Sequence, residues 1–251
     1  MKRVLCPLPA YGFDPTETAI PWKILTEGGV QIVFATPVGQ VSIGDEVMLS
    51  GDGLGIWKHI LKARRDAVDA YGEMIQVAFF KQPTAYADIR TDEFDALLLP
   101  GGHDKRVKDF LESSVLQQAI AEFFVDGKPV AAICHGVVAA ARSKDPESGR
   151  SVLNGYRTTS LLKSQEMLAF NMTRLWLKDY YLTYPGLTVE DEVTAALAGP
   201  DQFERGPNPL GRDGPLSLSR GFFVRDRNYL SARWPGDAYS FSLEFARMLA
   251  E

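Results

Sequence analysis

Four short apolar runs, each stopped by residues suited to a sharp turn, constrain this chain most. They span residues 3–5, 31–35, 96–99 and 130–133, and end at Cys6-Pro7, Thr36-Pro37, Pro100-Gly101-Gly102 and Cys134-His135-Gly136. Helical patterns lie between them: 14–27, stopped by Gly28-Gly29, and 106–124, with Val107, Phe110, Leu111, Val115, Leu116, Ile120 and Phe123-Phe124 at buried spacing. Strands alternating with helices predict a parallel sheet covered by helices on both faces. Ligands of such sheets bind beyond the carboxyl ends of the strands. Cys6, Gly101-Gly102 and Cys134 all fall at such ends.

The fourth run is the most informative chemically. Ala132-Ile133-Cys134-His135-Gly136 leads into a helix-like run, 137–141. That order reads as strand, sharp turn and helix with a nucleophile at the turn, the logic of the serine elbow of hydrolases. A helix N-terminus favours the thiolate, the reactive form of cysteine. This predicts that Cys134 is more reactive than Cys6, with a pKa below that of free cysteine. The same pentapeptide also fits a buried core cysteine.

Two stretches break the alternation. Residues 38–95 are too long for one crossover; they hold the turn-rich Gly51-Asp52-Gly53-Leu54-Gly55 and a helix-like run over 56–71. Those glycines lack the spacing of a dinucleotide fingerprint and follow no strand. Residues 198–215, rich in Gly and Pro and including Pro209, read as an irregular surface loop. Beyond it, 216–224 and 228–234 predict two strands joined at Arg225-Asp226-Arg227, and 237–249 a closing helix; 163–177 is also helical.

The 251 residues suit one α/β domain, 1–251, with an insertion at about 38–95. The net charge of −5 without a basic run argues against nucleic acid as a partner. No apolar stretch is long enough to predict a membrane span, and the N-terminal run is too short for a signal peptide. Two cysteines give no disulfide framework, so a cytoplasmic location is expected. Three scattered histidines and two distant cysteines offer no metal-ligand spacing, and no cofactor is expected.

Four separated pieces together resemble the PfpI/ThiJ superfamily, in the same order. They are Asp14-Pro15-Thr16-Glu17, Leu97-Leu98-Leu99-Pro100-Gly101-Gly102-His103, the Cys134 pentapeptide, and Ala232-Arg233-Trp234-Pro235. The resemblance implies a class I glutamine amidotransferase-like fold: an α/β, flavodoxin-like parallel sheet sandwiched by helices, with an insertion after strand two and a C-terminal hairpin. The long insertion resembles the larger members, heat-shock chaperones that also act as glutathione-independent glyoxalases (glyoxalase III).

The resemblance also implies roles. Cys134 is the nucleophile and His135 its base partner, with a backbone N–H at that position helping to bind an oxyanion. Glu17 aims its carboxyl at the sulfur, where it would carry a raised pKa; as a helix start, Asp14-Pro15-Thr16-Glu17 explains the same glutamate structurally. Glu166, 32 positions past the cysteine and the only acid between Glu147 and Asp179, is expected to orient the histidine. A solvated acid at a helix start explains it equally. Gly101 and Gly102 would supply oxyanion N–H groups and His103 would line the pocket. Asp104 stands where glyoxalase-like members often have glycine. Arg64, Arg65, Trp57, Tyr156, Arg157, Arg174 and Trp176 could line the pocket or an exposed helix face.

The implied function is cysteine-dependent chemistry on a small carbonyl compound, converting methylglyoxal to lactate as a lyase. The alternatives are an amidase or glutamine-hydrolysing activity on the same residues, and a chaperone or oxidative-stress sensor without turnover. A homodimer is expected from the same resemblance.

Overall fold

The computed structural model describes residues 1–208 and 211–251. Pro209, within the loop expected over 198–215, lies outside the described residues. β1 (Arg3–Pro7) leads through β2 (Tyr11–Phe13) into α1 (Pro15–Glu27) and β3 (Gln31–Thr36). The insertion then gives β4 (Ile43–Gly44), α2 (Glu46–Ser50), α3 (Lys58–Leu61), α4 (Arg65–Met74), α5 (Ala78–Lys81) and β5 (Thr84–Ala85). β6 (Ala96–Leu99), α6 (Lys108–Leu111), α7 (Ser114–Val125), β7 (Val130–Ile133) and α8 (Gly136–Arg142) follow. The chain continues through α9 (Lys163–Leu177) and α10 (Val189–Ala196) to β8 (Phe223–Asp226), β9 (Tyr229–Ala232) and α11 (Ala238–Ala250).

The main sheet has the order β5-β3-β1-β6-β7-β9-β8, parallel except for the antiparallel β8–β9 hairpin. Without the insertion's edge strand β5, its parallel strands run second, first, third, fourth, fifth, the flavodoxin-like order. The direction of winding changes between β1 and β6, and the crevice above that switch point is where ligands of such sheets bind.

Strand residues alternate between two cores, as period-two geometry requires. Val4, Cys6, Leu98, Ala131 and Ile133 join the core under α1, α4 and α11; Leu5, Leu97, Leu99, Val130 and Ala132 join the core under α7, α8 and α10. A third, small cluster lies apart from both. Met48, Leu54 and Tyr181 form it, with Leu61, Ala169 and Phe170 packed around them. It joins the insertion to α9 as a cap over the crevice.

Several expected elements are cut by tertiary contacts. The helix expected over 56–71 breaks at Lys62–Arg64, where the backbone is extended (ψ 162 and 164° at the two ends). There the Ala63 N–H donates to the Met48 carbonyl, and the Arg212 guanidinium donates to the carbonyls of Ile60, Leu61 and Lys62. The helix expected over 106–124 is two helices, because the Ser113 hydroxyl accepts from the Leu116 N–H and starts a new one. The strand expected from 216 begins only at Phe223, after a 3₁₀ turn at Leu218–Arg220. The loop over 198–215 is not all surface: Asp213 is fully buried and its carboxylate accepts the N–H groups of Tyr239 and Ser240, capping α11. Short β2, β4 and β5, and α10, carried no clear sequence signal. Among the described residues, no helix is long and apolar enough to cross a membrane.

Candidate active site

Cys134 sits in the turn between β7 and α8 with φ 57°, a left-handed conformation that costs an ordinary residue about 1–2 kcal/mol. Two backbone bonds hold it there: Cys134 N–H donates to the Ala232 carbonyl (3.1 Å) and Val137 N–H to the Cys134 carbonyl (3.2 Å). Strain held in place by the sheet on one side and a helix start on the other is the mechanics of a nucleophile elbow. Two glycines make the close approach possible. A Cβ on Gly136 would lie 2.0 Å from the Leu99 carbonyl oxygen, so only glycine lets α8 start against β6. A Cβ on Gly101 would lie 2.6 Å from a Glu17 carboxyl oxygen and 2.9 Å from the Cys134 Cβ.

The Cys134 sulfur lies 3.4 Å from Nδ1 of His135. On the far side of the ring, Nε2 lies 3.0 Å from the Thr183 hydroxyl, which is also 2.8 Å from the His103 carbonyl. A hydroxyl has one proton. A carbonyl can only accept, so the Thr183 proton goes to His103, and Thr183 accepts from Nε2–H. Nδ1 is then the unprotonated nitrogen, with its lone pair toward the thiol. Burial holds the His135 pKa down to about 3, so the ring is a neutral base at physiological pH.

Thr183 therefore occupies the position at which Glu166 was expected to orient the histidine. Glu166 instead accepts the Val189 N–H (3.0 Å) and caps α10. It is buried, not solvated, and burial raises its pKa to about 7. It does line the same cavity as Cys134. Thr183 has no sequence signal: it is one threonine in Tyr-Leu-Thr-Tyr, brought to His135 only by the fold.

Glu17 is fully buried. The helix start is capped without its side chain, because Asp14 Oδ1 accepts from Thr16 and Glu17 N–H while Asp14 N–H donates to the Gly101 carbonyl. The freed carboxyl turns to the sheet ends: one oxygen accepts the Gly101 N–H (3.1 Å) and Cys134 is its side-chain neighbour. Burial, then the Asp14 charge, pushes its pKa well above the carboxylate range, which favours the protonated carboxyl. Burial also pushes the Cys134 thiol up, with Glu17 and Asp14 adding to it and the His135 backbone N–H partly offsetting it. The low thiol pKa expected from the helix terminus is thus overturned. Burial favours the neutral forms of both the thiol and His135.

The expected oxyanion donors divide. Gly101 N–H is committed to Glu17. Gly102 N–H donates to no described residue, and Gly102 lines the cavity. His103 lines it too, stacked on Tyr181 (4.5 Å between centroids) and edge-on to Tyr180 (4.8 Å). Asp104 turns away from the cavity into a two-pronged pair with Arg106 (2.6 and 2.8 Å). Of the arginines and aromatics considered from sequence, Arg64 lines the cavity and Arg65, Trp57, Tyr156, Arg157, Arg174 and Trp176 do not. Cys6 is a fully buried core residue whose thiol pKa burial raises far.

The cavity has a volume of about 460 Å³. Met48, Leu61, Ala169 and Met172 from the cap, and Trp234 from the end of β9, enclose it with Cys134 and Glu17. Arg212, which also lines it, was missed because its loop read as featureless.

Comparison with known proteins bears on the family and the fold. A ThiJ/PfpI family-like profile matches residues 8–195. A protein named deglycase from Pyrococcus abyssi is 28% identical over 165 residues, 66% of this chain and 68% of that protein. A protein named glutathione-independent glyoxalase from Schizosaccharomyces pombe is 25% identical over 157 residues, 62% of each. The chain spans between 52% and 68% of the length of the first curated relatives it matches. The crystal structure of a glyoxalase III from Candida albicans superposes with a TM-score of 0.66 at 18% identity, over 98% of this chain and 97% of that one, which shows a shared fold.

Proposed function

The chain belongs to the ThiJ/PfpI-like family, and from that premise we propose that it is a cysteine-dependent enzyme acting on small carbonyl compounds, as a glutathione-independent glyoxalase does. The observation that carries the reading is the line from Cys134 through His135 to Thr183, with neutral Glu17 beside the sulfur. The names of two relatives, a deglycase and a glyoxalase, support the same chemistry.

With methylglyoxal the steps balance within this set of residues. Sulfur bonds to the aldehyde carbon as the thiol proton passes to Nδ1 of His135, and Glu17 protonates the resulting alkoxide. The Glu17 carboxylate then removes the C1 hydrogen as His135 protonates the C2 oxygen, giving an enediol. Glu17 returns its proton to C2 and takes the C1 hydroxyl proton, leaving a thioester with both groups neutral again. Water, deprotonated by His135, adds to the thioester; sulfur leaves and recovers the proton. The net reaction adds one water and gives lactate. Gly102 N–H is the donor free to meet the oxyanion in the last step.

The test is lactate production from methylglyoxal without glutathione. Wild type should produce it, EDTA should not stop it because no step uses a metal, and Cys134→Ala should abolish it because the adduct cannot form. Equal lactate from both proteins contradicts the reading. Amide substrates and thiol oxidation on the same pair of proteins then separate the hydrolase and sensor alternatives.

A further inference from the structure

The cavity is much larger than the substrate considered above. A three-carbon dicarbonyl fills a small part of about 460 Å³, a size that elsewhere encloses drug-sized molecules. The excess space is mostly apolar, with His59, Arg64, Gln165, Arg212 and Arg220 as its polar margin. Its outer wall is the cap, not the sheet: Met48 from α2, Leu61 from α3, and Ala169 and Met172 from α9. Ile60 and Leu168 also line the cavity while staying 59% and 60% exposed, as residues at a mouth do. The polar groups of the reaction are confined to the strand ends, on Glu17, Gly102 and Cys134. A ligand that fills this space has a reactive carbonyl at one end and an apolar body reaching under the cap.

We propose that the preferred substrates are 2-oxoaldehydes whose substituent is a bulky apolar group, aromatic or branched aliphatic, and that Ala169 on α9 sets the room for that group. This rests on the glyoxalase-type reading above and adds the substrate's second half to it. Ala169 is the smallest cap residue named on that wall, and it packs on the Met48–Leu54–Tyr181 cluster that fixes the cap's position. A larger side chain there intrudes on the cavity from the cap, the wall opposite the strand ends.

Initial rates with phenylglyoxal and methylglyoxal test the proposal. In wild type, kcat/KM for phenylglyoxal should exceed that for methylglyoxal by about tenfold or more, since even one methylene in an apolar pocket is worth roughly tenfold. Ala169→Trp should cut that ratio by about tenfold or more, with the fold checked by thermal denaturation. A ratio at or below one in wild type, or a ratio unchanged by Ala169→Trp, overturns the proposal. Binding keeps the cavity testable if neither aldehyde gives a Cys134-dependent product, a result that would sink the glyoxalase reading itself. In Cys134→Ala, acetophenone should then bind about tenfold or more tightly than acetone, and Ala169→Trp in that background should remove the difference. Equal binding of the two ketones overturns the apolar-body inference.

Discussion

Burial favours the protonated form of Glu17, and at this residue chemistry and stability pull in opposite directions. Its folded pKa is raised, first by burial and then by Asp14, whereas in the unfolded chain it ionises near pH 4.3. The folded state therefore holds a proton that the unfolded state releases, and stability falls as pH rises above about 4.3. Glutamine does not titrate and can still accept the Gly101 N–H. Glu17→Gln should abolish turnover while its melting temperature, relative to wild type, rises progressively between pH 4 and pH 8. A variant that melts lower than wild type at pH 8 would show that the carboxylate is charged in the fold. His135 gives a second pH signature. With its pKa held down to about 3 by burial, the base stays neutral well below the ordinary histidine range. The profile of kcat/KM should have no acid limb near pH 6.5, the ordinary histidine value; a limb there that disappears in no other variant than one at His135 would contradict the assignment. Thr183 acts through His135 and is a positioning residue. Thr183→Val removes the acceptor that fixes the ring tautomer, and kcat should fall about tenfold for one lost hydrogen bond. KM should hold, and Thr183→Ser should restore kcat. Equal activity of Val and Ser variants would leave the tautomer to another group.

At the scale of elements, the elbow is made by what surrounds it. Gly136 lets α8 begin against β6, and the atoms a methyl would meet are backbone: the Leu99 oxygen at 2.0 Å, the Leu99 carbon at 2.7 Å and the Pro100 oxygen at 2.8 Å. None of these can rotate away, so Gly136→Ala must displace the helix start; overpacking of this kind costs about 1–3 kcal/mol. Thermal denaturation should show the loss, together with loss of activity, and an unchanged melting temperature would contradict the packing. These local rules are also what made the elbow legible. Val130 to Gly136 reads correctly from sequence because strand, turn and helix start are each specified within a few residues. The cut at Lys62–Arg64 was not legible, because the groups that satisfy that backbone are Met48 and Arg212, the latter some 150 positions away. Propensity over 56–71 favours one helix, and tertiary hydrogen bonds override it.

For the whole molecule, alternation of strands and helices predicted a parallel sheet with ligands beyond its strand ends, and the flavodoxin-like arrangement came from the family resemblance. Cys134, Glu17, Gly102 and His103 meet there because the ends of β6 and β7 and the start of α1 converge beside the switch point. What alternation could not reveal was the cap. Its residues belong to the insertion and α9, their small cluster is separate from both main cores, and their apolar pattern alone fits any amphipathic helix. The same holds for Glu166: its spacing from the cysteine suited a triad acid, but spacing in sequence does not say which helix end the carboxyl will cap. The homodimer implied by family resemblance is a proposal of the same kind, and light scattering at micromolar concentration should give twice the chain mass. The proposed chemistry requires a covalent bond at one sulfur. Protein mixed briefly with methylglyoxal, quenched in acid so that the lactoyl thioester survives, and mapped by peptide mass spectrometry should carry the modification on Cys134 and not on Cys6, with none at that position in Cys134→Ala. Lactate formed at the wild-type rate with Cys134 unmodified at every quench time, or with the adduct on Cys6, would contradict it.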